Sequence, residues 1–148
     1  MNPRMYFILI CSALNLEFEL DNRKFNIITT HLAWGSTPDD KEYKIIQARK
    51  LHDNLSKIEN PFILTGDFNV TPDTQTVYIF NDLGKNWTTK LNVENTLNGR
   101  THAVRQLFPP GLAVDYIFTS PGIDVKSFRL VDEVNLSDHF GLLLEFQV

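Results

Sequence analysis

The 148-residue chain contains a single cysteine, no long hydrophobic run and no excess of positive charge. Because Cys11 alone cannot form an internal disulfide, the class of small disulfide-rich secreted proteins is excluded and a reducing, cytoplasmic location is favoured. Fourteen Lys and Arg residues against 18 Asp and Glu residues give a formal net charge of −4. This balance excludes a protein that holds long nucleic acid by overall charge, although it is compatible with a nuclease that has a local basic strip or bound cations.

The lack of a long apolar run also limits what the chain does in a membrane. Residues 5–14 are apolar, but they are fewer than the ~20 residues that span a bilayer, so no transmembrane segment is predicted. Arg4 before this run and Ser12-Ala13 within its end make residues 1–14 similar to a signal peptide, and secretion is the alternative location. Because a strand-like pattern follows without a break, we favour the cytoplasmic location.

The remaining composition is that of an ordinary globular protein. Hydrophobic residues make up 43% of the chain and charged residues 22%, which is enough apolar material for a core. The length suits one domain covering residues 1–148. The sequence contains no internal repeat, low-complexity tract or linker that divides it.

Apolar periodicity predicts a β-hairpin followed by a helix. Alternation over residues 13–20 and the run 25–30, separated by a turn at 21–24, predict two paired strands. The segment Thr37-Pro38-Asp39-Asp40 consists of residue types that begin helices. Apolar residues then recur at steps of three and four, so we expect an amphipathic helix that ends near Asn60-Pro61.

The second half of the pattern predicts further strands and one short helix. Residues 62–65 are apolar or β-branched in a row, which is typical of a strand buried on both faces. A shorter helix is expected from Thr71-Pro72-Asp73 to Leu83-Gly84. The polar segment 85–111 is expected to be a long, partly irregular surface segment. Strands at 114–118, 125–131 and 140–148 complete an α+β or mixed α/β fold with helices packed on a sheet.

Polar residues with catalytic chemistry lie next to these predicted strands. Gly66 permits a turn that places Asp67 and Asn69 at the carboxyl end of a core strand. Because neighbouring strand ends can meet at one edge of a sheet, we expect the polar clusters to converge. They are His31, Asp67 with Asn69, Asp115, and Asp138 with His139.

This inventory suits the hydrolysis of a phosphoester with a hard divalent cation. Carboxylate and amide oxygens bind Mg²⁺, which also takes phosphate oxygens and neutralises developing charge. An imidazole oriented by a carboxylate can take a proton from water, and an amide can donate to a phosphate oxygen. The predicted cofactor is therefore Mg²⁺ or Mn²⁺.

Four short strings at these positions resemble the endonuclease/exonuclease/phosphatase superfamily, the fold shared by DNase I-like nucleases, abasic-site endonucleases, inositol polyphosphate phosphatases and sphingomyelinases. Each string alone is weak, but the set is specific in this order and at these strand ends. The resemblance covers about residue 13 to the C-terminus and implies a four-layer α/β sandwich made of two similar halves. The strings are Thr30-His31-Leu32, Gly66-Asp67-Phe68-Asn69, Val114-Asp115-Tyr116-Ile117-Phe118 and Ser137-Asp138-His139.

The resemblance implies a catalytic role for five residues. His139 would act as the general base or as the phosphate-binding histidine, with Asp115 as its orienting partner. Asp67 would position or activate the attacking water, or serve a metal position. Asn69 would hold a phosphate oxygen. His31 would contact phosphate or act as the general acid.

The resemblance also implies metal and substrate residues. Asp138 is similar to the family's C-terminal metal ligand, and Asp67 is the other ligand candidate. From the residues themselves, Arg100, His102 and Arg105 are candidates for a basic strip on the substrate side, and a solvated loop is the alternative interpretation. The substrate would be a nucleic acid, a phospholipid or a small phosphoester, with the choice set by loops such as 85–111.

One departure from the family pattern affects the functional prediction. The family's N-terminal half supplies an asparagine and a glutamate that is its principal metal ligand. Glu17 and Glu19 alternate along a predicted strand as solvent-facing residues do, so they do not fit that role, and the chain is similar to a C-terminal half. A half sandwich would expose an apolar sheet face, which we expect a homodimer partner or a missing N-terminal half to cover.

Three hypotheses follow from the sequence. The first is a divalent-metal-dependent phosphoesterase that uses an activated water. The second is a catalytically incomplete half-domain that acts as a binding or assembly piece only. The third is an interaction domain that matches by chance, which would place the four polar clusters far apart in space.

Overall fold

The structure is a computed structural model that describes residues 12–103, 111–132 and 137–148. A five-stranded mixed sheet has the strand order β1-β2-β3-β5-β4, and β6 and β7 form a separate antiparallel pair. The strands are β1 (Ser12–Leu20), β2 (Arg23–His31), β3 (Phe62–Asp67), β4 (Lys85–Asn86), β5 (Asp115–Thr119), β6 (Asp124–Val131) and β7 (Gly141–Gln147). The helices are α1 (Glu42–Leu55), α2 (Gln75–Tyr78) and α3 (Trp87–Lys90).

The sheet combines a hairpin with a crossover. β1 and β2 are antiparallel and are joined by Asp21 and Asn22, both with positive φ, as a tight two-residue hairpin turn requires. This turn is shorter than the predicted turn at 21–24. β2 and β3 are parallel because α1 carries the chain back across the sheet, whereas β3 and β5 are antiparallel. The predicted mixed α/β class is therefore confirmed.

The main core lies between the sheet and the helices α1 and α2. Phe68 is buried at its centre, with its ring centroid 5.3 Å from that of Phe80, 5.1 Å from that of Tyr116 and 5.8 Å from that of Phe118. Phe68 lies between Asp67 and Asn69 in sequence, so the core fixes the turn that carries both polar residues. The other buried members of this core are Ile28, Leu32, Ala48, Leu55, Phe62, Leu64, Val70 and Val77.

The opposite face of the sheet is only partly covered. Alternate residues of β1 form an exposed apolar stripe, which consists of Leu14, Leu16, Phe18 and Leu20. Phe18 stacks on Phe25 of β2, and Phe146 of β7 packs edge-on against the same Phe25 at 5.7 Å. In the described part of the chain, β1 pairs on one side only. The expected exposed apolar face is therefore present.

Both ends of the predicted first helix were wrong. α1 begins at Glu42 rather than near Thr37, and it ends at Leu55 rather than near residue 60. Residues 36–39 form bends, and polar groups of residues 37–40 bind other elements. The carbonyl of Thr37 accepts from the Lys44 ammonium, and the carboxylate of Asp40 accepts from two backbone N–H groups at the start of α2.

The predicted length of the second helix was wrong. The helix is a single turn that starts after Thr74, whose hydroxyl accepts from the N–H of Val77. The partly irregular segment from residue 85 contains two short elements, β4 and α3, that were not predicted individually. Trp87 anchors this region by donating from Nε1 to the hydroxyl of Thr119 at 2.9 Å. A two-residue strand and a four-residue helix are too short to leave a periodic pattern in the sequence.

Some predicted features lie outside the described residues. They are Cys11, most of the apolar segment 5–14, and Arg105. Among the helices that the structure describes, none combines the length and apolar character needed to cross a bilayer, and the longest has 14 residues.

Candidate active site

Three polar side chains form a row across the ends of neighbouring strands. His31 ends β2 and is the register partner of Asp67, which ends β3. Asp67 is in turn the register partner of Asp115, which begins β5. The Nε2 atom of His31 lies 3.6 Å from Oδ2 of Asp67. The parallel and antiparallel pairings therefore bring residues distant in sequence to one edge of the sheet.

His139 joins this row from a separate segment. An isolated β-bridge pairs it with Leu97, and the N–H of Phe140 donates to the carbonyl of Thr96 at 2.7 Å. This pairing places Nδ1 of His139 2.9 Å from Oδ2 of Asp115. The predicted clusters thus converge, which rules out the hypothesis of a chance match with scattered clusters.

The turn after β3 determines where Asp67 points. Gly66 has φ 148°, and a Cβ at this position would overlap the carbonyl oxygen of Thr30, so only glycine fits. The Oδ1 atom of Asp67 accepts from the N–H of Asn69 at 2.8 Å, and Asn69 has φ 55°. The Asn69 amide donates to the carbonyl of Leu32 at 2.8 Å. These contacts hold the turn in one conformation.

The side chain of Lys44 also holds this turn in place. Its side chain is fully buried, and its ammonium donates to the carbonyl oxygens of Asn69, Asp39 and Thr37 at 2.8, 3.1 and 3.2 Å. Burial lowers the pKa of Lys44, and the charge of Lys41 lowers it further. We did not predict this residue as part of the site. Its spacing of four from Ala48 puts it on the buried stripe of α1, and a cation in that stripe is the signal that identifies it.

The carboxylates and the imidazole perturb one another. Burial and the nearby charge of Asp115 raise the pKa of Asp67 to about 6. The hydrogen bond that His139 donates to Asp115 raises the pKa of His139, although burial works in the opposite direction. A carboxyl and an imidazole whose pKa values are both raised by their surroundings are typical of sites where protons are transferred.

A small cavity opens beside these residues. Its volume is about 230 Å³, and Asn69, His102, His139 and Trp34 contribute to its lining. Arg100 is exposed in the adjoining turn, where its backbone N–H donates to Oδ1 of Asn98 at 3.1 Å. A charged ligand bound at the strand ends would therefore face this cavity, whose walls carry both apolar and polar side chains.

Within the described part of the chain, two groups of side chains offer metal ligands. In the first, one donor atom each from Asp67, Asp115 and His139 lie within 4.8 Å of one another. In the second, the same is true of His102, Asp138 and His139. The two predicted metal ligands, Asp67 and Asp138, therefore belong to different groups that share His139. His102 was not among the predicted ligands.

A family model described as the Endonuclease/Exonuclease/phosphatase family matches residues 5–139. The chain belongs to the endonuclease/exonuclease/phosphatase family. The resemblance drawn from the four sequence strings is confirmed. No protein in the curated set matches the chain significantly in sequence.

Solved structures share the fold of this family member. The endonuclease/exonuclease/phosphatase from Bacteroides vulgatus is 23% identical, with a TM-score of 0.74, over 92% of this chain and 55% of that one. The human Nocturnin catalytic domain with bound sulfate is 24% identical, with a TM-score of 0.69, over 93% and 53%. D. rerio TDP2, complexed with a single-strand DNA product, is 15% identical, with a TM-score of 0.66, over 92% and 61%. The chain thus spans little more than half the length of these relatives.

The structure of this family member brings five predicted catalytic residues together: His31, Asp67, Asn69, Asp115 and His139. Asp138 lies beside them, and Arg100 is exposed in the adjoining turn. Lys44 and Asn98 are neighbouring residues that we did not predict, and His102 was predicted only as part of a basic strip on the substrate side. Asn98 is a buried asparagine in a polar segment, and no sequence pattern marks it.

Proposed function

We propose that the chain hydrolyses phosphoester bonds with an activated water in the presence of Mg²⁺ or Mn²⁺. The observation that carries this proposal is the 2.9 Å contact between Asp115 and His139, next to Asp67. Family membership supports phosphoester hydrolysis in general. Because the chain spans only part of its solved relatives, its own activity is a proposal rather than a property inherited from them.

The geometry supports a division of roles. Asp115 orients His139 through Nδ1, so Nε2 of His139 is the nitrogen that contacts the phosphoryl group. Asp67 positions the attacking water and takes its proton. Asn69 lines the adjoining cavity and contributes an amide to a phosphate oxygen. His31, on the far side of Asp67, acts towards the leaving group.

The first ligand group fits a divalent cation. Asp67 and Asp115 offer carboxylate oxygens, which a hard divalent cation prefers, while Nδ1 of His139 is engaged with Asp115. We propose Asp67 as a protein ligand in this group and Asp138 as a ligand from the other group. When bound, such an ion neutralises charge that develops on the phosphoryl oxygens. The positions of the Asp67 and Asp115 carboxylates are fixed because the two residues are register partners where β3 ends and β5 begins.

The test is hydrolysis of bis-p-nitrophenyl phosphate by the purified chain with Mg²⁺ or Mn²⁺. We expect Asp67→Asn to lower the rate by about 100-fold or more, the usual effect of losing a general base. Asp53→Asn is the matched control, because Asp53 is an exposed carboxylate on α1 away from the row. An unaltered chain that is inert with both ions would contradict the enzymatic proposal.

The second candidate function is a binding or assembly piece without catalysis. The observation that favours it is the exposed apolar stripe on β1, together with a length little more than half that of the solved relatives. We propose that, in a solution of this chain alone, a second copy covers the stripe and forms a homodimer. A contiguous apolar surface on an edge strand is a feature that promotes such association.

A further inference from the structure

We propose that His102, Asp138 and His139 form a site for a transition-metal ion such as Zn²⁺, separate from the cation position at Asp67. Two imidazoles and one carboxylate, with one donor atom from each within 4.8 Å of the others, suit ions that prefer nitrogen ligands, whereas Mg²⁺ prefers oxygen. Three protein ligands with a further open position are also the usual composition of a reactive zinc site. The site shares Asp138 and His139 with the proposed hydrolytic centre, so an ion at Nε2 of His139 excludes a phosphoryl group there, but ion binding does not depend on hydrolysis.

The two segments that supply these ligands are held together by Asn98. Its side chain is 1% exposed, its N–H donates to the carbonyl of Asp138 at 2.8 Å, and its amide donates to the carbonyl of Ser137 at 3.0 Å. The carbonyl of Asn98 accepts from the N–H of His102 at 2.9 Å. One buried residue therefore binds the backbone of both ligand segments, so they are ordered before any ion arrives.

The histidines are arranged as metal ligands. Nδ1 of His139 is engaged with Asp115 at 2.9 Å, which leaves Nε2 for an ion, and a carboxylate behind a ligating histidine is the usual second partner in zinc sites. The ring centroid of His102 lies 5.8 Å from that of His139, with the planes at 60°. Donor atoms around one Zn²⁺ lie roughly 3 to 4 Å apart, so rotation of the exposed Asp138 side chain can close the group.

The test measures ion binding rather than turnover. The metal-free full chain is titrated with Co²⁺ and followed by its visible absorption, and with Zn²⁺ in competition with a chromophoric chelator. We expect His102→Gln to weaken both ions by at least about tenfold, since even loss of an outer partner costs that much. His102→Cys should restore Zn²⁺ binding because a thiolate is a strong zinc ligand. His52→Gln, which removes a histidine paired with Asp82 at 2.9 Å, should change neither.

A second set of titrations separates this site from the hydrolytic one. Asp67→Asn removes a donor of the first ligand group only, so Co²⁺ binding should persist in that variant and weaken when His102→Gln is added. If His102→Gln binds Zn²⁺ and Co²⁺ as tightly as the unaltered chain, with an unchanged circular dichroism spectrum, the inference is wrong. Absence of Zn²⁺ binding by the unaltered chain would also overturn it. Failure of phosphoester hydrolysis alone would contradict only the proposed function.

Discussion

The buried ammonium of Lys44 donates a 2.8 Å hydrogen bond to the backbone carbonyl of Asn69. The same nitrogen binds two carbonyls of the bend before α1, at Thr37 and Asp39. An ammonium has three donors, and these three acceptors use all of them. One side chain of α1 therefore ties the turn that carries Asp67 to the preceding loop, and this relationship leads to the first prediction.

Replacing Lys44 with methionine should destabilise the fold, because the buried carbonyls lose their shared donor. We expect Lys44→Met to lower the free energy of unfolding by about 1–3 kcal/mol, measured by urea denaturation. Lys50→Met is the matched control, since Lys50 is an exposed lysine in the same helix. Equal stability of the two variants would mean that the three contacts of Lys44 do not hold the turn.

Gly66→Ala should disrupt the site more than any nearby glycine substitution. In this variant the positive φ at position 66 is strained, and the added Cβ overlaps the carbonyl of Thr30, which forces β2 and β3 apart. A loss of about 1–3 kcal/mol in unfolding free energy is expected, the typical range for overpacking with backbone shifts. Gly99→Ala serves as the control because nothing lies within 4 Å of a Cβ there. Similar melting temperatures for both variants would count against this account of the turn.

Asp40 should stabilise the fold in a pH-dependent way. Burial works to raise its pKa, but hydrogen bonds from Thr76 and Gln75 outweigh this and lower the pKa below 3.8. A depressed carboxyl pKa gives stability that is present above the unfolded pKa and is lost as the pH falls through the folded pKa. Asp40→Ala should therefore cost about 1 kcal/mol at neutral pH, as for other lost helix caps.

The check on Asp40 is a comparison of urea unfolding at neutral pH and at a pH below the lowered pKa that Asp40 has in the folded state. The difference between the unaltered chain and Asp40→Ala should shrink in acid, because the carboxylate is then protonated in both states. The control is Asp53→Ala, because Asp53 is an exposed carboxylate. Asp21 is not used, since its positive φ of 52° in the hairpin turn would add a backbone effect. A difference that is constant with pH would show that the charge of Asp40 contributes nothing.

The apolar stripe on β1 should drive association of the isolated chain. We expect a concentration-dependent dimer in sedimentation velocity, and Leu16→Glu should shift it to monomer because a charge then stands in the buried interface. Leu91→Glu is a matched control, since Leu91 is 47% exposed and Leu16 is 46% exposed. A well-folded chain that stays monomeric at all concentrations would contradict the homodimer proposal.

Local patterns in the sequence were enough to find the strands that carry the site. β1, β2, β3 and β5 have strong apolar patterns, and their bounds differ from the predicted ones by only a few residues. The predicted start of α1 was wrong. The sequence shows that Asp40 is a residue type common at helix starts, but it does not show that Asp40 binds the N–H of Thr76, 36 residues away. Short elements such as β4 depend on pairing with β5 and leave no pattern of their own.

The sequence by itself determined the family, the strand ends and the residue types of the candidate site, since these depend on short strings and on local periodicity. Only the tertiary structure decided which of these residues meet. The register of β3 between β2 and β5 places Asp67 opposite both His31 and Asp115, and a single bridge brings His139 to Asp115. The roles of Lys44 and His102 were also decided there, because burial and the approach of distant segments are properties of the folded chain.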